Sequence, residues 1–175
     1  MADQFVSILP FNVTDFLRID GVEKQRVEFK KAWHNKKESG PRGTYWQVVH
    51  TICAFANDIY HDNGGYVIIG VEEKEHGEDS TDERQIVLPL FGVPARDLGR
   101  IQKEIIGACR ENIKPEYTPR FSSEVVEIGG GIKHVLVVMA AASYNRPHMC
   151  RESDKGENCY YVNFFRSKRF SSSLV

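Results

Sequence analysis

The run Gly64-Gly65-Tyr66-Val67-Ile68-Ile69-Gly70-Val71 constrains the fold more than any other part of this chain. From Tyr66 to Val71 it offers no charged residue and no polar and apolar alternation, and it is too short for an ordinary helix. It therefore reads as a strand buried on both faces. Such a strand needs a pairing partner at each edge and a layer over each face, which points to a sheet flanked by helices. The glycines ahead of it lack side chains and allow a tight turn into the strand. Glu72 and Glu73 follow at its carboxyl end, the usual ligand side of an open α/β sheet.

Other segments supply the rest of the layers. In Glu23-Lys24-Gln25-Arg26-Val27-Glu28-Phe29-Lys30-Lys31, Val27 and Phe29 alternate with Arg26, Glu28 and Lys30, the period of a half-buried strand. This places Glu28 and Lys30 together on its polar face. Thr44-Tyr45-Trp46-Gln47 fits a capping box and opens a helix through Val49, Ile52, Cys53 and Phe55 to about Asn57. An insertion from Asp58 to Asn63 leads back to the glycine pair. Asp97 is placed to cap a helix whose stripe is Leu98, Ile101, Ile105 and Ala108, ended by Lys114-Pro115. The runs from Phe121 to Ile128 and from Ile132 to Ala140, joined by Gly129-Gly130-Gly131, read as a hairpin. Arg146-Pro147 marks a rigid loop, and Tyr160 to Phe165 a final strand. The expected fold is α/β (α+β), a single domain over residues 1–175 with a mixed sheet flanked by helices, a core from about 15 to 165 and a tail from 166 to 175. A chain of about 150 residues already buries about 70% of its surface, so one real core is within reach.

Chemistry enters with the acids. Carboxylates set among lysines and arginines have the composition needed to hold a divalent cation beside a phosphodiester, although most surface glutamates are simply solvated. A net charge of −1 excludes a uniformly basic nucleic-acid binder, so any electrostatic footprint is local. Lys30, Lys31, Lys36, Lys37 and Arg42 form one candidate group, and Arg166, Lys168 and Arg169 another, against the commoner reading of a charge run as a solvated face. The acidic stretch from Glu72 to Glu83 reads as a surface excursion. Arg146 is a further phosphate candidate, against simple surface packing. Tyr144, Tyr160 and Tyr161 are capable of stacking on bases, but aromatics in strand patterns more often fill a core, and that reading is preferred for them.

Other classes find less support. No stretch approaches the ~20 apolar residues of a membrane span, and the amino terminus lacks a signal peptide's basic start and apolar centre, so the expected location is intracellular and cytoplasmic. Cys53 and Cys109 fall on apolar helix faces as buried thiols. His148-Met149-Cys150 and Cys159 offer soft ligands, but the spacing lacks a second close pair, which argues against zinc. There is no P-loop, G-x-G-x-x-G, H-E-x-x-H or G-x-S-x-G pattern, and no nucleotide cofactor is expected.

The order V-E-F-K, a helix ending A-F-A-N, then G-G-Y-V-I-I-G-V-E-E-K resembles the Schlafen AlbA-like domain. The resemblance continues through Pro115-Glu116-Tyr117-Thr118-Pro119 and Arg146-Pro147 to Cys159-Tyr160-Tyr161-Val162. It implies a domain acting on nucleic acid, with RNA favoured over DNA. In nuclease members three acids bind a divalent metal and support cleavage of transfer RNA and similar structured RNA; they match Glu23, Glu28 and Glu72 here, with Glu73 a nearby substitute for the third. The implied function is a metal-dependent endoribonuclease using Mg²⁺ or Mn²⁺, with Glu23, Glu28 and Glu72 as ligands and Lys30 as phosphate stabiliser. The alternatives are a non-catalytic DNA- or RNA-binding module of a regulator, and a dimerising scaffold. Large Schlafen proteins pair two related lobes into a basic cradle, and this chain has length for one lobe, which predicts a homodimer.

Overall fold

In a computed structural model of the chain, residues 26–39, 43–58, 64–71, 91–128, 131–154, 157–164 and 166–171 are described. The predicted central strand is β2 (Gly65–Ile69). It pairs in parallel with β1 (Val27–Lys30) and antiparallel with β5 (Gly131–Ala140), which in turn pairs with β4 (Arg120–Ile128). The sheet order β1-β2-β5-β4 is mixed, and β2 and β5 fill its middle. Val67, Ile68 and Ile69 of β2 are all fully buried, so both faces of that strand are covered as its composition requires. Gly70, at φ 107°, ends the strand in a backbone conformation that glycine adopts without strain.

Helix α1 (Thr44–Ala56) lies against this sheet and buries residues around nearly its whole circumference, including Trp46, Val49, Ile52, Cys53 and Phe55. An apolar surface that wide needs cover on more than one side. Helix α2 (Ala95–Asn112) packs beside it and buries Ile101, Ile105, Ala108 and Cys109, the predicted stripe, with Leu98 partly buried at its start. The remaining cover comes from a second sheet, β3-β6-β7-β8, formed by β3 (Ile113–Lys114), β6 (Met149–Arg151), β7 (Asn158–Phe164) and β8 (Arg166–Ser171). Helix α1 is thus sandwiched between two sheets. Cys150 and Cys159 face each other across β6 and β7 and are buried, as are Cys53 and Cys109, and burial raises the Cys109 thiol far above its usual range.

The ends of the elements differ from expectation in three places. Thr44 does not cap α1. Gly43 holds the cap position, and the hydroxyl of Ser39, brought in by the preceding loop, accepts the Tyr45 N–H at 3.1 Å. A nonlocal hydroxyl has taken the role that the capping-box pattern assigned locally, while the Thr44 hydroxyl meets His34 Nδ1 at 3.3 Å. Asp97 is likewise not a cap: Pro94, extended at φ −60° and ψ 138°, holds that place. Asp97 instead sits in the first turn, where its negative charge complements the helix dipole and accepts from Arg100 at 3.3 Å. Finally, the strand expected from Tyr160 to Phe165 is β7, which runs Asn158–Phe164, and it is followed by β8 at Arg166–Ser171, where a tail was expected. Its backbone pairs with the edge of β7, satisfying groups that would otherwise face solvent as an open edge.

Candidate nucleic-acid interface

Among the described residues β1 is an edge strand, and its side chains are half-buried whichever face they occupy. Glu28 and Lys30 do share a face, but not an outer polar one. Their register partners Val67 and Ile69 belong to the main core, so this is the face the helices cover. Being at the rim, they stay accessible: the Glu28 side chain is 38% exposed and Lys30 17%, and they form an ion pair at 2.5 Å.

The carboxyl end of β1 is closely built. The Lys30 carbonyl accepts N–H groups from Gly70 at 2.8 Å and Val71 at 3.2 Å, which ties the exit of β2 to β1. The Gly70 carbonyl in turn accepts from Phe91 and Gly92. Two lysines converge on Phe91: the Lys31 ammonium lies 4.1 Å from its ring centroid, and Lys133 donates to its carbonyl at 2.8 Å. Lys30, Lys31 and Lys133 therefore gather at the end of the sheet from which the chain passes, after Val71, to Glu72. Lys133 had no signal in the sequence, because it arrives from β5, far along the chain.

The other nominated cations lie elsewhere. Lys36 is held by Asp154 at 2.5 Å and Glu111 at 3.0 Å, with Trp46 at 5.7 Å, and these hydrogen bonds, that to Asp154 first, raise its pKa. Two carboxylates offset its charge, which weakens its case as a phosphate contact. Lys37 is exposed on the same turn, where its backbone N–H meets Asn35 Oδ1 at 3.0 Å. Arg146 belongs to the opposite end of the sheet, in the loop after β5, and donates to the Asp58 carbonyl at 2.6 Å.

Glu23, Arg42, Glu72, Glu73 and the acidic stretch to Glu83 lie outside the described residues, as do the side chains of Tyr160, Tyr161, Arg166, Lys168 and Arg169. The donor set Glu23, Glu28 and Glu72 is all carboxylate oxygen, which suits hard ions such as Mg²⁺ and Mn²⁺. Glu28 fits that use, being on an edge strand with a solvent-facing carboxylate. One carboxylate is not a site, and among the described residues no group of three or more His, Cys, Asp or Glu is arranged to hold a metal. A centre at Glu28 therefore needs further ligands from outside the described residues.

Sequence reasoning missed a polar node at the end of α1. Asn57, buried at 2% exposure, accepts the His148 N–H at 2.6 Å and donates to the His148 carbonyl at 2.8 Å, so its amide pairs with that backbone as a strand would. The buried Asp58 carboxylate accepts the Gly64 N–H at 3.1 Å, and the His148 ring meets the Pro115 carbonyl at 2.7 Å. This node joins the helix, the glycine turn and the loop before β6. Its one visible trace in the sequence is an asparagine at a helix end.

A family model described as Schlafen, AlbA_2 matches residues 23–169, nearly the whole described chain. Among solved structures, the DIP2311 protein from Corynebacterium diphtheriae is similar at 18% identity and a TM-score of 0.44, over 83% of this chain and 22% of that one. This chain thus spans less than a quarter of that protein's length. No curated protein matches. No helix among the described residues is long and apolar enough to cross a membrane.

Proposed function

The chain belongs to the Schlafen AlbA_2 family, a nucleic-acid-related domain, and on that premise we propose that it is a divalent-metal-dependent endoribonuclease acting on transfer RNA or similar structured RNA. The observation that carries this reading is the rim of the sheet at β1, where an accessible Glu28 sits beside Lys30, while Lys31 and Lys133 meet at Phe91 beyond the carboxyl end of the strand. A carboxylate in a local field of lysines is what metal-assisted attack on a phosphodiester needs.

Glu28, with Glu23 and Glu72, would hold Mg²⁺ or Mn²⁺. A divalent ion there supplies Lewis-acid polarisation of the phosphoryl group and a bound water of lowered pKa. Lys30 keeps a positive charge beside the carboxylate and offsets the negative charge that develops on the phosphate. Lys31 and Lys133 hold flanking phosphates, fixing register without reading sequence. The stacking of Lys31 on Phe91 limits the freedom of that ammonium before RNA arrives.

The close Glu28–Lys30 pair also favours a second reading, in which the carboxylate serves as the lysine's partner and the surface binds nucleic acid without cutting it. Incubation of purified protein with total transfer RNA separates the two. The nuclease reading expects fragments in Mn²⁺ that disappear with EDTA. Binding without metal-dependent fragments selects the second reading, and neither binding nor fragments at low salt contradicts both.

A further inference from the structure

Tyr144 is fully solvent-exposed, at 101% of its reference area, although its residue type fits a core equally well. A single exposed aromatic ring is ordinary on a protein surface. What sets this one apart is the loop that carries it. Ser143 donates its N–H to the Ala56 carbonyl at 2.8 Å, and Asn145 donates its N–H to the Ser143 hydroxyl at 3.1 Å. Upstream, the Ala141 carbonyl accepts from the Tyr117 hydroxyl at 2.8 Å; downstream, Arg146 is tied to Asp58 and His148 to Asn57. The backbone on both sides of Tyr144 is therefore fixed to helix α1 or to its own turn while the ring stands clear in water. A stacking surface held this way loses little conformational entropy when a partner settles on it.

The surroundings are basic. Ala140 pairs with Gly65, and Gly65 abuts the Arg26 carbonyl, so the start of β1 and the Tyr144 loop flank the same end of β2. Arg26 and Arg146 lie there, with the exposed Arg120 at the start of β4. Among the described residues here, the Asp58 carboxylate is buried and bound to Gly64 while its carbonyl accepts from Arg146, and Glu116 is paired with Arg110 at 2.9 Å. Strands β1 and β5 are separated only by β2, so about 10 Å divides them.

We infer that Tyr144 is a stacking platform for an unpaired base, so that the preferred ligand is RNA with a single-stranded or loop nucleotide rather than continuous duplex. This rests on the nucleic-acid reading above and names the substrate class within it. Every base has a π-face, so the contact tolerates sequence but not pairing, since a paired base is not free to leave its stack.

The test uses the full chain in EDTA, with a fluorescein-labelled RNA hairpin carrying an unpaired loop and a fully paired RNA duplex of equal length. Tyr144→Ala should weaken binding to the loop RNA about tenfold and leave duplex binding unchanged, while Tyr144→Phe, which keeps the ring, stays close to wild type. With 2-aminopurine in the loop, wild type and Tyr144→Phe should quench its fluorescence and Tyr144→Ala should not. If wild type binds and Tyr144→Ala binds the loop RNA equally well, the inference is overturned and the ring is left as a candidate protein contact. Equal weakening toward loop and duplex overturns it too, because a stacking role predicts a difference. Failure of wild type to bind either RNA at low salt removes the nucleic-acid reading itself, and the inference with it.

Discussion

Glu28→Gln is expected to lower RNA cleavage in Mn²⁺ by about 10²–10³-fold or more while leaving RNA binding intact or slightly tighter. The two effects separate because the carboxylate has two duties on this rim. As a metal ligand it is needed for the reaction. As the partner of Lys30 it cancels positive charge that RNA would otherwise use. Replacing it with the neutral isostere removes the first duty and frees the lysine. The pair is part-exposed, so its loss should change stability by less than about 1 kcal/mol, and thermal melting serves as the control. Cleavage rates and binding isotherms on the same transfer RNA check the prediction. Equal loss of cleavage and binding would mean that Glu28 shapes the surface rather than supplying a ligand.

The largest effect on folding should come from Gly64→Ala. Gly64 has φ 79°, and a Cβ there would collide with the Ala140 carbonyl oxygen while its own N–H is held by Asp58. Left-handed backbone at a non-glycine residue costs about 1–3 kcal/mol, and forcing atoms into a packed site a similar amount. A total of about 3–5 kcal/mol is expected, which at urea slopes of about 1–3 kcal/mol/M should move the unfolding midpoint by roughly 2 M. Urea titration followed by circular dichroism measures it. A midpoint unchanged from wild type would show that the entry to β2 is looser than described.

Much of the fold was legible because it rests on local patterns. The apolar run at β2, the stripe on α2 and the hairpin of β4 and β5 each carry their signal within one segment, and each formed as read. The rest depends on partners distant in the chain. The cap of α1 moved to Ser39 because the loop folds back onto the helix, which no capping pattern encodes. Lys36 looked like part of a basic patch until Glu111 and Asp154 met it. Period two correctly joined Glu28 and Lys30, yet it gave the wrong face, because which side of a strand is covered is decided by packing, and only their place at a sheet edge keeps them in solvent. Tyr144 was weighed as core because aromatics in strand patterns more often are; the segment Ser143-Tyr144-Asn145-Arg146-Pro147 has the composition of a turn, and that signal was available. Of the basic residues at the β1 rim and around the Tyr144 loop, Arg26, Lys30 and Lys31 lie in or beside the V-E-F-K motif, while Arg120, Lys133 and Arg146 arrive from distant strands and loops, so composition near the motif captured only part of them.

In the proposed function Glu28 belongs to a metal centre completed by Glu23 and Glu72. Crystals grown with Mn²⁺, measured at a wavelength where manganese scatters anomalously, test it most directly. The expected result is one strong anomalous peak within roughly 2.0–2.2 Å of a Glu28 carboxylate oxygen, shared with Glu23 and Glu72 and absent in Glu28→Gln crystals. A structure in which Glu28 contacts only Lys30 while Mn²⁺ binds elsewhere, or in which the Glu72 carboxylate lies on the far face of the sheet, would contradict it.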